Sequence, residues 1–460
     1  MNATPPSTAW AALSDASFRT IWIAGVVMGT GSVVQDVTSG WIMTHLTTSA
    51  LHVSLLQTAV SSPVVLLALP AGAMADIVNR RRLMVTLLLA LATLAALLGW
   101  FTTSKSLTPE LLLGFVFLMG CVNAMFTPAW MRTVPDLLAG PLIPLGVTLN
   151  STGINIARLA GATVAGILLA SQAAGAGFFL ASLAFLVPAA ALYRWSGPPV
   201  RSTLPQESFT AALAGGISYA LNSPGIRAIV IRTLVFSFFG SAIPSLLPVV
   251  ASRNLHLDGL WFGLLSASFG GGALIGATCM LPIRRKLSID TILLIMISIL
   301  AVTAVAMARL ESFLLLASVL AVAGGAWVIV VASFGIATGS AAPFWVLSRM
   351  LSLYMLTFQG GAALGSLAWG FLAQEAGLPT SLQIAAAGLV LGLPARLWLP
   401  MPPANPSLLV PSQHWPVPPL VESTGASDGP VLVTVHYQID VSDAEAFVTA
   451  MREVRLERLR

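Results

Sequence analysis

One acidic side chain, Asp36, is predicted to lie deep inside an apolar membrane segment of this chain. It shares a predicted helix with Arg19 and lies about 25 Å along that helix from the arginine. Charge at such depth is costly, and ionisable residues there usually face a cavity or a partner group. A carboxyl group in that setting can take up and release a proton, which predicts a proton-coupling or cation-binding site. The alternative is a packing contact, in which Asp36 bonds neighbouring Ser or Thr groups or Gln35.

A basic side chain, Arg158, occupies a similar predicted depth, about 22 Å along the fifth apolar segment from Ile143. If odd-numbered helices run outward, Asp36 and Arg158 are level with each other. A buried pair could hold one conformation until substrate or a proton breaks it. Two other interpretations stay open: a static structural ion pair, and an arginine that reaches a water-filled cavity independently.

Three amides, Gln35, Asn155 and Gln359, are the remaining polar candidates at membrane depth. Asn155 shares a helix face with Arg158 because the two are three residues apart. Interhelical hydrogen bonds account for most such amides without any ligand. We group all three with Asp36 and Arg158 as the predicted proton-coupling or substrate site. No metal ligand set or cofactor motif is recognised in the sequence.

A second candidate region, residues 72–82, falls between the second and third predicted spans. Gly72 allows close helix approach, Asn79 tolerates a left-handed turn, and Asp76 favours the start of the next helix. The arginines at 80–82 anchor the segment on the cytoplasmic side. A simple topology anchor explains these arginines, but not Gly72 and Asp76 at this spacing.

The elements that must position these residues are membrane helices. Only 8% of the 460 residues are charged and 57% are hydrophobic, whereas soluble domains carry about 25% charged residues. The chain is therefore predicted to be an all-α polytopic membrane protein, with spans of ~20 mostly apolar residues. The twelve predicted spans are 20–44, 53–75, 83–103, 110–131, 143–170, 176–193, 226–251, 260–282, 290–308, 312–336, 343–373 and 381–399.

Positive charge is distributed unequally between the two sides of this layout, and the side richer in Lys and Arg is normally cytoplasmic. Only Lys105, Arg253 and Arg309 fall on the poorer side. We predict a multi-pass protein of the inner (cytoplasmic) membrane, embedded in the lipid bilayer, with both termini cytoplasmic. The net charge of +5 then reflects topology, and no nucleic-acid partner is expected.

An internal repeat divides the spans into two groups of six. Gly72 and the basic cluster after it recur at Gly276 and at 284–286, and Gly161 and Gly166 recur at Gly365 and Gly370. Two patterns that share one offset indicate a duplicated unit, the architecture of transporters that rock around a central site. The glycines of the second pattern, Gly161, Gly166, Gly365 and Gly370, predict close helix packing at the surface where the two halves slide.

The predicted domains follow from this division. Residues 1–194 form the first six-helix bundle, 195–224 a cytoplasmic linker and 225–400 the second bundle. Residues 401–430 are rich in Pro, Ser and Gly and predict an extended tether. Residues 431–460 predict an incomplete soluble appendage, with a strand at 431–439 followed by a helix that a Ser442–Glu445 capping box would start.

The segment from Gly72 to Arg82 resembles the signature loop of the major facilitator superfamily, Gly-x-x-x-Asp-x-x-Gly-Arg-Arg, with Asn79 in place of a glycine. Gln35-Asp36, the Asn155 and Arg158 segment, and Trp345-Val-Leu-Ser-Arg349 resemble the branch that contains the enterobactin exporter and related predicted efflux proteins. The resemblance covers about residues 15–400 and implies the major facilitator fold.

The resemblance also implies alternating access, usually driven by proton exchange or by the substrate gradient. Asp76 and Arg80 would stabilise one gate, with Arg81 and Arg82 in support. The second-half loop departs from the pattern, since Met280 stands where an aspartate is expected. Gly161 is followed by Ala162, whereas many antiporters of the family have Gly-Pro there.

We predict proton-coupled export of a small amphipathic molecule, such as a siderophore, drug or metabolite, by a protein expected to be a monomer. Two alternatives remain: an uptake carrier of the same fold, and a non-transporting membrane scaffold or sensor. An enzyme is not expected, because the histidines are scattered and none pairs with a nearby carboxylate in a recognisable motif.

Overall fold

The computed structural model describes residues 9–77, 79–131, 133, 137–138, 142–171, 173–194, 218–343, 346–402, 437 and 439–458. Within these residues, thirteen helices form the apolar body of the molecule and a fourteenth follows it. They are α1 (Ala16–Leu46), α2 (Ala50–Ile77), α3 (Arg80–Thr103), α4 (Pro109–Met131), α5 (Ile143–Ala170), α6 (Ala174–Arg194), α7 (Pro224–Gly240), α8 (Ala242–Val249), α9 (Gly259–Lys286), α10 (Ile289–Arg309), α11 (Phe313–Ala341), α12 (Leu347–Glu375), α13 (Leu378–Gly392) and α14 (Ala444–Arg458).

Eleven segments of the described chain are long and apolar enough to cross a membrane, and Pro224–Asn254, which contains α7 and α8, counts as one of them. The twelfth span is α12, which is 29 residues long and packs against α2 and α7. The prediction of an all-α protein with twelve membrane helices is confirmed. Apart from residues 195–223 between α6 and α7, the connections between successive spans are short, so the spans that they join run in opposite directions.

The two halves repeat the same helix packing. In the first half α1 packs on α5 and α6, α2 on α4, and α3 on α6. In the second half α7 packs on α12 and α13, α9 on α11, and α10 on α13. The halves meet through two further pairs, α5 with α9 and α2 with α12, which the same repeat relates to each other. The predicted six-helix pseudo-repeat is therefore present in the fold.

Glycines allow the closest approach between the halves. A Cβ at Gly263 of α9 would lie 2.2 Å from the Cα of Gly166 in α5, so these two backbones touch where no side chain fits. At the repeat-related position, a Cβ at Gly370 of α12 would lie 1.6 Å from the Oγ of Ser54 in α2. The expectation of small residues at the interface is correct for Gly166 and Gly370.

The other two repeated glycines pack inside their own halves, so the interface expectation is wrong for them. A Cβ at Gly161 would lie 2.7 Å from the carbonyl oxygen of Thr30 in α1, and one at Gly365 would lie 2.1 Å from that of Phe238 in α7. These positions lie on a different face of α5 and α12 from Gly166 and Gly370, because five residues do not make a whole number of helical turns.

The seventh span is interrupted. α7 ends at Gly240 and α8 begins at Ala242, and a π-helical turn, Val250–Asn254, completes the span. Pro244 and Pro248 explain the interruption, since proline has no backbone N–H and its ring clashes with the carbonyl four residues earlier. The hydroxyl of Ser241 donates to the carbonyl of Phe238 at 2.8 Å and caps the end of α7.

The segments outside the bundle are described in part. Residues 195–217 of the predicted linker and 403–436 of the predicted tether and appendage lie outside the described residues. Tyr437 and Ile439 are not in a strand, while the predicted appendage helix is present as α14. Ser442 does not form the expected capping box, because its hydroxyl donates to Asp440 at 3.2 Å and a short 3-10 turn precedes the helix.

Candidate functional site

A cavity of about 110 Å³ lies between the two halves and contains the Asp36 side chain. Its walls come from α1, α2 and α4 of the first half and from α8 of the second. The residues that line it are Asp36, Ser39, Gly40, Val53, Leu56, Gln57, Val60, Val116, Pro244, Ser245 and Pro248. Transporters built from two such bundles generally bind their substrates and coupling ions at the interface between the bundles.

Asp36 is exposed within this cavity even though it lies near the middle of the long helix α1. None of the described residues forms a hydrogen bond or an ion pair with its carboxylate. In particular, Asp36 and Arg158 make no ion pair in this structure. The carboxylate is thus free to bind a proton or a cationic group that enters the cavity.

The α1 face beside Asp36 is built by helical spacing. Ser39 and Gly40 follow Asp36 by three and four residues, so all three lie on one side of α1. Ser39 is only 3% exposed, and its hydroxyl has no hydrogen-bond partner among the described residues. A Cβ at Gly40 would lie 3.2 Å from Cγ of Pro248, so the missing side chain lets α8 approach α1.

Two further polar groups come from other helices. Gln57 on α2 donates from Nε2 to the Oγ of Ser61, one turn further along, at 3.1 Å. Ser245 on α8 donates from its hydroxyl to the carbonyl of Ser241 at 2.7 Å. Sequence reasoning missed Ser39, Gln57 and Ser245. The spacing from Asp36 to Ser39 was a usable signal, whereas the contributions of α2 and α8 depend on tertiary packing.

The other predicted site residues do not line this cavity. The backbone of Arg158 lies beside α9, where a Cβ at Gly270 would be 3.1 Å from the Arg158 carbonyl carbon. Asn155 is buried and donates to the carbonyl of Ser151 within its own helix at 3.1 Å. Gln35 is buried and Gln359 is half-buried. Of the five predicted site residues, Asp36 is the one that lines this cavity, and the grouping of the five into one site stays a prediction.

At one end of the bundle, where α1 ends and α2 begins, contacts join the two halves; we call this end the closed end and these contacts the seam. The Oγ of Ser49 donates to Oε1 of Gln374 at 2.5 Å, and Thr58 donates to the carbonyl of Ala363 at 3.0 Å. The rings of Trp41 and Phe262 stack with centroids 5.4 Å apart. Together with the glycine contacts, these pairs join α2 to α12 and α1 and α5 to α9.

The opposite end carries the arginines at 80–82 and the basic cluster at 284–286; we call it the basic end. The predicted signature loop is shorter than expected, because α2 continues to Ile77 and α3 begins at Arg80. Asn79 is not in a left-handed turn: its φ is −56° and its side chain caps α3 by accepting from the N–H of Arg82. Asn79, not Asp76, thus starts this helix.

The roles expected for the signature residues are only partly visible. Gly72 and Asp76 belong to the last turns of α2, and their side chains lie outside the described part of the structure. Arg81 donates to the carbonyl of Tyr193 at the end of α6, and its guanidinium lies 5.5 Å from the centre of the Tyr193 ring. This contact ties α3 to α6 within the first half.

The second half contains an ion pair that sequence reasoning missed. Arg232 of α7 is 8% exposed and pairs with Asp290 at the start of α10, which is 26% exposed. Arg232 also donates to the carbonyl of Leu399 at 3.2 Å, and the N–H of Met401 donates to Asp290 at 3.1 Å. The pair therefore fixes the chain where it leaves the bundle.

Known proteins are similar to this chain in sequence or in fold. The multidrug efflux pump Tap of Mycolicibacterium fortuitum is 25% identical over 398 residues, which cover 82% of this chain and 94% of the pump. A variant of the nucleoside transporter NupG has the same fold, with a TM-score of 0.67, 12% identity, and coverage of 83% of this chain and 99% of NupG.

A bacterial homologue of the human lysosomal transporter Spinster, solved in an inward-facing and occupied conformation, also superposes, with a TM-score of 0.65 and 14% identity. The match covers 86% of this chain and 97% of the homologue. The family described as transmembrane secretion effector matches residues 7–460, nearly the whole sequence. The chain belongs to this transmembrane secretion effector family, within the major facilitator superfamily of membrane transporters.

Proposed function

We propose that the protein exports a small amphipathic molecule in exchange for protons, and that Asp36 is the group that carries the proton. The observation that supports this most directly is the unpaired carboxylate of Asp36 in a cavity between the two halves. Export also agrees with the efflux activity named for the Tap pump. We assign transport and no enzymatic activity.

The proposed cycle follows from the energetics of the cavity. The seam at the closed end separates Asp36 from one side of the membrane, and rocking of the halves would open it. A carboxylate loses its hydration when a cavity closes around it, whereas a neutral carboxylic acid loses much less. Proton binding would therefore favour the conformations in which the cavity is closed, and proton release would favour a hydrated, open cavity.

The orientation follows from the distribution of charge. If the basic end lies in the cytoplasm, the chain enters α1 from the cytoplasm and leaves α13 on the same side. The closed end would then face the outside of the inner membrane, and the cavity would be reached from the cytoplasm in this conformation. We propose a monomer in the lipid bilayer as the transporting unit, since each chain contains both halves and the cavity between them.

The test is proton movement in inside-out vesicles energised by respiration, with candidate siderophores and drugs added one at a time. An exporter moves substrate into the vesicle lumen and releases protons from it, so a dye that reports an acidic lumen recovers its fluorescence. Asp36→Asn should abolish the recovery. Glu311→Gln is the matched control, because Glu311 is an exposed carboxylate in the connection between α10 and α11.

Two outcomes would contradict the proposal. Equal recovery in wild type and Asp36→Asn would remove Asp36 from the coupling step. Substrate movement out of the vesicles, down its own gradient and with protons following, would identify an uptake carrier of the same fold.

A further inference from the structure

The polar groups of the cavity mostly offer hydrogen-bond acceptors. The two carboxylate oxygens of Asp36 have no partner among the described residues. Ser245 uses its proton on Ser241, so its oxygen can only accept. The Ser39 hydroxyl is also unpartnered among the described residues, but its oxygen is buried and has almost no surface that a ligand can reach. A ligand that satisfies this set must bring several N–H or O–H donors of its own.

The orientation of Gln57 adds a further acceptor. Its amide nitrogen donates to Ser61, a fully buried residue one turn along α2. This bond fixes the amide, and the carbonyl oxygen of Gln57 has no partner among the described residues. Because Gln57 lines the cavity, this oxygen is available to a ligand beside Asp36.

The charge and the walls of the cavity narrow the ligand further. Asp36 is the only charged side chain among the described lining residues, so a cation is favoured and an anion is repelled. No aromatic ring is part of the described lining, although aromatic cages are the usual way to bind quaternary ammonium groups. The apolar walls are Val53, Leu56, Val60, Val116, Pro244 and Pro248.

The size of the cavity limits what it encloses. Drug-sized ligands occupy pockets of roughly 300–1,000 Å³, and this cavity has a volume of about 110 Å³. In this conformation the cavity has room for the charged head group of a ligand and the carbons next to that group. The apolar walls suit an alkyl or benzyl carbon next to that head group.

We infer that the cavity binds the protonated primary or secondary amine of the substrate, and that Gln57, oriented by Ser61, selects such amines against quaternary ammonium groups. The ammonium N–H groups donate to Asp36, to Gln57 and to the oxygen of Ser245, while the apolar walls contact the adjacent carbons. This inference rests on the proposed function, since it specifies the substrate class of the same cavity.

The experiment measures equilibrium binding to the full-length protein in lipid nanodiscs by isothermal titration calorimetry. The probes are benzylammonium and benzyltrimethylammonium, which share a ring and a charge but differ in N–H donors. Wild type should bind benzylammonium about tenfold or more tightly than its quaternary analogue, because bonds to charged donors are among the strongest. Empty nanodiscs correct for partition into lipid.

The variants separate the role of Gln57 from general damage. Gln57→Leu should narrow the tenfold preference to about threefold or less, and Ser61→Ala should narrow it partly, since the amide is then free to turn. Gln57→Glu should tighten benzylammonium binding. Gln383→Leu is the matched control, because Gln383 is an amide on α13 outside the cavity lining, and the preference should not change.

Equal affinity for the two probes, tighter binding of the quaternary probe, or no saturable binding by folded wild-type protein would overturn the inference. So would an unchanged preference in both Gln57→Leu and Gln57→Glu. Because the binding measurement requires no proton gradient, this inference can be refuted while the proposed function holds, and the proposed function can be refuted while this inference holds. Proton-coupled flux without amine preference would refute only this inference, and amine preference without proton movement would refute only the coupling.

Discussion

The two halves share their helix packing but use charge in opposite ways. In the first half, Asp36 is unpaired and exposed in the central cavity. In the second half, Asp290 is paired with the buried Arg232 and is partly covered. Neither arrangement is repeated: Gly240 stands 204 positions after Asp36, and Met28 stands 204 positions before Arg232.

This difference shows which features a duplicated membrane fold keeps. Glycines at helix contacts recur in both halves because backbone approach determines how the spans pack. Charges are free to differ, since each needs only a local cavity or a partner. The first half thus provides the group that we propose to bind protons, and the second half uses its charges to hold the chain together.

Moving the acidic group to the second half would have the largest effect. In Asp36→Asn/Gly240→Asp, we expect proton-coupled flux at background level, as in Asp36→Asn alone. A Cβ at Gly240 would lie 3.4 Å from both Phe236 and Trp327, so the new carboxylate would face aromatic rings. An acidic side chain inside a membrane helix costs about 2–3 kcal/mol. Vesicle proton flux and thermal unfolding are the two measurements, and restored flux would contradict the asymmetry.

Breaking the ion pair of the second half should mainly reduce stability. Arg232→Met leaves Asp290 without its partner, and we expect a loss of about 2–3 kcal/mol, less than the roughly 3–5 kcal/mol for fully buried pairs because Asp290 is partly exposed. Removing both charges in Arg232→Met/Asp290→Leu should recover most of this loss. Thermal unfolding in detergent measures both variants. A loss of proton coupling at unchanged stability would instead give this pair a role like that of Asp36.

A substitution in the seam between the halves tests whether closure depends on glycines at the helix contacts. Gly263→Ala places a Cβ 2.2 Å from the Cα of Gly166, so α5 and α9 must separate at the closed end. We expect transport to slow by about tenfold, which corresponds to roughly 1.4 kcal/mol against the closed arrangement. Gly271→Ala is the control, since its Cβ would meet only Leu159 at 3.6 Å. Equal transport rates in the two variants would show that the seam tolerates separation.

The sequence predicted the helices well because a membrane requires every backbone polar group to be bonded within the helix, so long apolar runs have one stable form. Asp36 was found for the same reason, since its charge contrasts with its surroundings. Gln57 and Ser245 could not be found this way. They line the same cavity as Asp36 through the packing of α2 and α8, and helical periodicity does not specify which helices become neighbours.

One local prediction was wrong, and one of several open interpretations is not seen in this structure. Residues 72–77 have the composition of a loop signature, yet they continue α2, and Asn79 rather than Asp76 supplies the cap of the next helix. The pairing of Asp36 with Arg158 rested on depth alone, and depth does not determine the direction in which a side chain points. Arg232 and Asp290 lie far apart in the sequence, and only the contact of α7 with α10 makes them partners.

The smallest expected effect concerns an arginine contact in the first half, at the basic end, that also fastens the end of a helix. Arg81 holds the end of α6 through the carbonyl and the ring of Tyr193, as Arg232 holds the chain after α13 through Leu399. Arg81 is solvent-accessible, and exposed contacts of this type contribute about 0.5–1 kcal/mol. We therefore expect Arg81→Lys to lower the unfolding free energy by less than about 1 kcal/mol, because lysine keeps the charge but loses the planar stacking.

Thermal unfolding of Arg81→Lys beside Arg82→Lys isolates this contact, because the two variants change equal charges at neighbouring positions. Arg82 is itself exposed, so its replacement should leave stability unchanged. A loss in Arg81→Lys as large as that in Arg232→Met would mean that both halves fasten their last helix equally firmly. The asymmetry between the halves would then be confined to Asp36 and its cavity, and the buried pair of the second half would be one of two equivalent anchors.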